Sequence, residues 1–369
     1  MNTRLAALAC LGFFVTTAVA CGDDSTQTTT SSTPLDASST TGAGTSTITL
    51  LAYDSFTPSQ SVLDAFTSST GIAVKLVPLG DAGEMVSKAI LTKDAPLGDV
   101  LFGIDNTFLS KGIEAGLFEP YAAKRLAEVP SDLTALVPDH EATPVDTGDV
   151  CVNADLAGLA ARGLAVPTTL DDLIDPKYAD LLVVQDPATS SPGLAFLLAT
   201  RAAYGDGWLE WWKKAKANGV TVVEGWDQAY NIEFSGSSAG REAGAKRPLV
   251  VSYASSPAAE MIFADPRPST APTVSMSEGC FHQIEFAGVL RGTKHTAQAQ
   301  QFVDFLLSDQ FQSDMPGTLF VYPVVSTATL PPEFDAYAKA PSKPLTVSPD
   351  DIAANREEWI DQWTGVMRG

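Results

Sequence analysis

Three apolar runs near the start of the chain each end in an acid: Tyr53-Asp54-Ser55, Gly80-Asp81 and Asp105-Asn106. A buried strand that turns polar only at its carboxyl end suits an open α/β sheet, whose ligands bind outside those ends. Carboxylates beside the face of an aromatic ring suit a cationic guest. Asp is also a favoured helix N-cap, and each of Asp54, Asp81 and Asp105 reads equally well as one. Their succession, with Tyr53 beside the first, argues for a cleft with three carboxylates on one rim.

Three later stretches add groups of the same kind. Gln185-Asp186-Pro187-Ala-Thr189-Ser190-Ser191-Pro192-Gly193 sets hydroxyls and a glycine between a strand and a helix. Such a turn offers N–H groups and a positive helix end to phosphate or another anion, or is simply a well-capped helix. Gly225-Trp226-Asp-Gln-Ala-Tyr230 puts two rings four apart on one helical face, a spacing that serves core packing as readily as a ligand platform. Val250-Val-Ser252-Tyr253-Ala-Ser255 repeats the pattern of the opening stretch, an apolar strand ending in Tyr and Ser.

The elements that must position these groups alternate. Ile48–Ala52 reads as a strand, and Thr57-Pro58 opens a helix with Val62, Leu63 and Phe66 inward. Ile72–Leu79 is a second strand, and a helix with Met85, Val86, Ala89 and Ile90 inward follows. Asp99–Ile104 is a third strand, with Asp105-Asn106 capping a helix that ends at Gly116. Strand and helix in alternation give a parallel sheet covered on both faces. From Pro144 the pattern changes to a strand-like crossing through Asn153.

With 369 residues the chain has room for two lobes and a sizeable core. A formal charge of −21 argues against nucleic acid as a partner, since affinity there rests on Lys and Arg neutralising phosphates. Arg4 followed by an apolar run to Ala20 reads as a secretory signal, too short to span a membrane with soluble flanks. Ala18-Val-Ala-Cys21 resembles a bacterial lipobox, which makes Cys21 the lipidated first residue of the mature chain. Residues 22–46, rich in Ser and Thr, make a flexible tether. Export leaves Cys151 and Cys280, for which a disulfide is the default and two buried free thiols the alternative. His140, His282 and His295 lie far apart without metal-site spacing, and no P-loop, dinucleotide fingerprint or nucleophile elbow is present. Trp208–Lys214 and Arg356–Trp363 read as helices with their rings packed inward.

The segment Thr168–Tyr178, the apolar strand Leu181–Val184 and Asp186-Pro187 resemble the start of the second lobe in extracellular solute-binding proteins of ABC importers. Together with Tyr53-Asp-Ser-Phe56, Phe102-Gly-Ile-Asp105-Asn106, Ser277-Glu-Gly279, Gln283-Ile-Glu285, Val321-Tyr-Pro-Val324 and the segments above, the chain from Thr47 onward resembles the thiamine-binding family of periplasmic proteins. The resemblance implies an α/β, two-lobed type II periplasmic-binding fold with a hinge. Residues 47–146 and 284–318 would form lobe one; 147–283 and 319–369 would form lobe two. It implies a monomeric binding protein, not an enzyme, without cofactor, that takes thiamine or its mono- and diphosphate between the lobes. Delivery would be to an ABC permease and its ATPase, from a lipid anchor on the outer side of the cell membrane. Tyr53, Trp226 and Tyr253 match the rings over thiamine, Asp81 and Ala82 the polar contact, and Ser190 and Ser191 the pair near a phosphate. Asp54, Ser55, Asp105, Tyr230, Ser255 and Phe320 complete the expected site. Two departures stand out: Ala259 where the family has a ring, and Phe320 where it has Trp. Thiaminase I, an enzyme of the same fold with a cysteine nucleophile, is one alternative; a binder of iron or a polyamine is another.

Overall fold

The structure is a computed structural model, and it describes residues 46–369. The signal, Cys21 and nearly all of the tether lie outside the described residues. The strands are β1 (Ser46–Ala52), β2 (Ile72–Pro78), β3 (Val100–Asp105), β4 (Phe118–Glu119), β5 (Thr143–Asp155) and β6 (Leu182–Gln185). They continue with β7 (Thr221–Val223), β8 (Leu249–Tyr253), β9 (Thr273–Ser275), β10 (Phe281–Leu290) and β11 (Tyr322–Pro323). One sheet runs β2-β1-β3-β10-β5-β8-β6-β7, with β4 on β10 and both β9 and β11 on β5.

The ends of that sheet are the two lobes. β2, β1 and β3 are parallel, as are β7, β6 and β8. Helices on their faces bury the apolar stripes expected of them: Val62, Leu63 and Phe66 in Gln60–Thr70, and Met85, Val86 and Ala89 in Ala82–Leu91. The long strands β5 and β10 join the lobes. They are antiparallel to each other over Phe281↔Val150 to Ala287↔Thr143. β10 carries β3 on its other edge, and β5 carries β8. Both are buried along nearly their whole length, which suits strands with helices or loops on each face.

Two expectations about helix starts are corrected. The first helix begins at Gln60, not at Thr57-Pro58, and Asp54 does not cap it. The chain instead turns tightly, Phe56 N–H to Tyr53 C=O at 3.1 Å, and Asp314 accepts the Ser59 N–H at 2.9 Å. That anchor fixes the helix entry in place of a side-chain cap. The third helix covers Leu109–Glu114, because Asp105 caps the turn before it, not the helix itself.

The final helix, Pro349–Arg368, touches both sides of the molecule. Trp363 packs edge-on against Trp212, 5.5 Å between centroids, while the buried Arg356 guanidinium donates to Ser110 Oγ at 2.8 Å. Among the described residues no helix is long and apolar enough to cross a membrane.

Cys151 and Cys280 are joined in a disulfide that closes 129 residues of chain. It ties β5 to the residue that precedes β10. A loop of that length is a large constraint on the unfolded chain, and losing such a bridge typically costs about 2–5 kcal/mol. Alkylation without reductant is therefore expected to leave both thiols unlabelled in the intact mass. Reduction is expected to lower the denaturant midpoint and to steepen the slope, because the unbridged unfolded chain is more expanded.

Candidate functional site

A cavity of about 350 Å³ opens where the carboxyl ends of β1 and β8 face one another across β10. Its ring-bearing wall is Tyr53, Trp226, Tyr230, Tyr253, Phe263 and Phe320. Its acids are Asp54, Asp81, Asp227, Glu260 and Glu285, and no Lys, Arg or His lines it. Of the site residues expected from the sequence, it gathers Tyr53, Asp54, Ser55, Asp81, Ser191, Trp226, Tyr230, Tyr253 and Phe320.

Four expected residues stand behind the wall. Ala82 is buried in the first turn of its helix. Asp105 is fully buried because its Oδ1 takes both the N–H (3.1 Å) and the hydroxyl (2.6 Å) of Thr107, drawing it below the rim. The rim therefore carries Asp54 and Asp81 but not Asp105. Ser190 is buried next to the start of the helix Ser191–Tyr204, its hydroxyl without a partner. Ser255 donates to the Phe320 carbonyl, which holds Phe320 in the left-handed region at φ 60°. A non-glycine residue kept there needs such support, and this one sits on the cavity wall.

Asp81 is the main polar link between lobes. Oδ1 caps its own helix through Ala82 N–H at 2.6 Å, and Oδ2 accepts the Trp226 N–H of the other lobe at 2.8 Å. One residue pair further, Glu84 N–H donates to Thr189 C=O at 3.0 Å. Gly83 permits that approach, since a Cβ there would come within 2.8 Å of the Thr189 oxygen. Trp226 and Tyr230 stack at 4.9 Å with planes 10° apart, so both readings of their spacing hold: they pack on each other and line the cavity. Trp226 Nε1 donates to Ser252 Oγ at 2.9 Å, fixing the indole.

Ala259 lines the cavity without a ring, but Phe263 lies one helical turn on and also lines it, edge-on to Phe320 at 5.2 Å. The sequence signal was there: Ala259 and Phe263 are four apart in Ser256–Phe263 and so share a face. In the sequence Glu285 stands out only as the end of the Gln283-Ile-Glu285 strand. It forms the floor, accepting from the Tyr53 hydroxyl at 3.3 Å. Glu260, which accepts from Tyr230 Oη at 3.1 Å, was also not singled out.

Burial pushes the acids upward, and of these only Glu260 has a basic neighbour, Arg241 at 3.5 Å. Asp81 and Asp105 both rise to about 6, chiefly through burial and against the hydrogen bonds that pull them down. Glu260 rises through burial, and Glu285 through burial and then the nearby Asp146. The cavity thus holds ring faces and an excess of negative potential that a delocalised cation would relieve.

A two-lobed sheet with a cleft at the carboxyl ends of its strands is the architecture of a solute-binding protein. Residues 95–355 match the family model described as bacterial extracellular solute-binding protein, and the chain belongs to that family. It is 31% identical over 321 residues to the thiamine-binding periplasmic protein of Salmonella typhimurium, covering 86% of this chain and 92% of the relative. The thiamine-binding periplasmic protein of Escherichia coli K12 is 30% identical, with the same coverage. A solved structure of a periplasmic thiamin binding protein superposes with a TM-score of 0.75 at 28% identity, covering 87% of this chain and 96% of that one.

The raised acids set a pH dependence of folding. Asp81 and Asp105 bind a proton in the folded chain, but not the unfolded one, between the ordinary Asp range and about 6. Stability therefore falls as pH rises through that window. The unfolding free energy from denaturant titration is expected to be higher at pH 5 than at pH 8, by more than about 1 kcal/mol. A flat or rising profile would contradict this account of the buried acids.

Proposed function

We propose that this chain binds thiamine between its lobes and delivers it to an ABC permease and its ATPase. The observation that carries the reading is the cavity wall: six rings and five carboxylates with no basic side chain. Thiamine carries its charge on a flat, delocalised ring whose nitrogen has no N–H, so that charge is met by ring faces and nearby carboxylates, not by a hydrogen bond from the charged nitrogen. Each good cation–π contact contributes roughly 0.5–2 kcal/mol. The thiamine-binding relatives at about 30% identity over most of the chain support the same ligand.

Ser191 and the start of its helix offer N–H and hydroxyl donors to a phosphate on the ligand. Thiamine mono- and diphosphate thus belong among the ligands. The lobes would hinge on β5 and β10, and the chain would work as a monomeric binder without catalysis. Cys21, outside the described residues, would anchor it by lipid outside the cell membrane.

Calorimetric titration with thiamine, its two phosphates, spermidine and ferric citrate tests the reading. Saturable binding of a thiamine form is expected; no heat with any of them defeats it. Tyr53→Ala is expected to weaken thiamine at least tenfold, about 1.4 kcal/mol. Phe263→Ala is expected to weaken it severalfold if that ring replaces the one missing at Ala259, and an unchanged titration would remove Phe263 from the site.

A further inference from the structure

Asp146 and Glu285 are direct cross-strand partners on β5 and β10, the two strands that join the lobes. Such neighbours have Cβ atoms roughly 4.5–5.5 Å apart, within reach of two carboxyl groups. Both are buried, Asp146 completely. Neither oxygen of Asp146 meets a donor, and among the described residues neither acid has an ion pair. The groups that face them are themselves acidic or phenolic. Tyr53 on β1 donates to Glu285 at 3.3 Å, Tyr253 on β8 and Asp105 at the end of β3 complete the surroundings, and β11 sets only Pro323 opposite Asp146. Gln283 and Gln312 nearby are neutral and already donate, to Ser191 Oγ and to the Val145 carbonyl.

Two buried carboxylates side by side, with no base in reach, cannot both remain ionised. A single proton between them satisfies the orphaned Asp146 oxygens and halves the charge. Glu285 lines the cavity floor, so whatever enters the cavity meets this pair through it.

We propose that Asp146 and Glu285 form a one-proton counter-ion pair for the bound solute, and that a cationic ligand expels that proton as it binds. The proposal rests on the reading of the cavity as a cation site. No covalent bond changes: the pair goes from one shared proton to none, the proton passes to buffer, and the ligand's positive charge takes its place. The free protein is thereby spared two uncompensated buried charges, while the liganded protein presents both to the cation. A neutral molecule of similar shape leaves the proton where it is, so the pair also selects for charge. Burial raises Asp146 to about 8, and burial and then the neighbouring Asp146 raise Glu285, which puts the exchange near neutral pH.

Calorimetry of thiamine binding at pH 7.5, in buffers of differing ionisation enthalpy, counts the protons. The wild-type protein is expected to release a substantial fraction of one proton, with affinity rising between pH 6.5 and 8. Asp146→Asn removes the member of the pair that does not line the cavity, and Asp146→Asn combined with Glu285→Gln removes both protonation sites. Asp146→Asn is expected to reduce the release and flatten the pH profile, and the double variant is expected to release no proton at whatever affinity it retains. Binding by the wild-type protein with no proton release, or with uptake, overturns the proposal and leaves the thiamine reading intact. Undiminished release in both variants also overturns it, because the proton then comes from elsewhere. No binding of thiamine by the wild-type protein removes the reading on which the proposal stands.

Discussion

The structure depends on burying carboxylates where no basic side chain can meet them. β5 and β10 must run side by side through the middle of the sheet to join the lobes, and they carry Asp146 and Glu285 as facing residues. An acid so placed is costly unless it is protonated, hydrogen-bonded or matched by a cation. Asp105 and Asp81 use hydrogen bonds, the first to Thr107 and the second to Ala82 and Trp226. Glu285 has one Tyr hydroxyl. What is left over is a cavity with strong negative potential and rings around it, a place that favours a flat cation.

The same constraint explains how the lobes meet. Asp81 ends β2's connection on one lobe and accepts a backbone N–H from the other, so an acid of the cleft also joins its two walls. Gly83 lets the Thr189 carbonyl come close to the same turn. The disulfide holds β5 to the start of β10, and the last helix reaches from Trp212 on one side to Ser110 on the other. Motion about the crossing strands is thus confined by covalent and packing ties that lie away from the cavity.

Much of this was legible in the sequence because period and punctuation were clear. The alternation of β1, β2 and β3 with amphipathic helices gave a parallel sheet, and Tyr53, Asp81, Trp226 and Tyr253 came together as the ends of separate elements. The misplacements share a cause. Asp is equally good as a cap and as a rim carboxylate, and only the position of Thr107 decides that Asp105 turns inward. The first helix starts late because Asp314, far along the chain, holds Ser59. The Asp146–Glu285 pair could not be read at all, since it exists only through strand register, and a single acid inside an apolar strand gives no sign of which residue it will face. Phe263 could have been found from its spacing to Ala259, once Ala259 was noticed as lacking a ring.

The central claim is that the cavity is built for positive charge as much as for shape. Its most direct test compares thiamine with thiochrome, the neutral, flat oxidation product of the same ring system, by equilibrium titration at pH 7.5 and constant ionic strength. Thiamine is predicted to bind at least tenfold more tightly. Equal affinity, or a preference for thiochrome, would contradict the account.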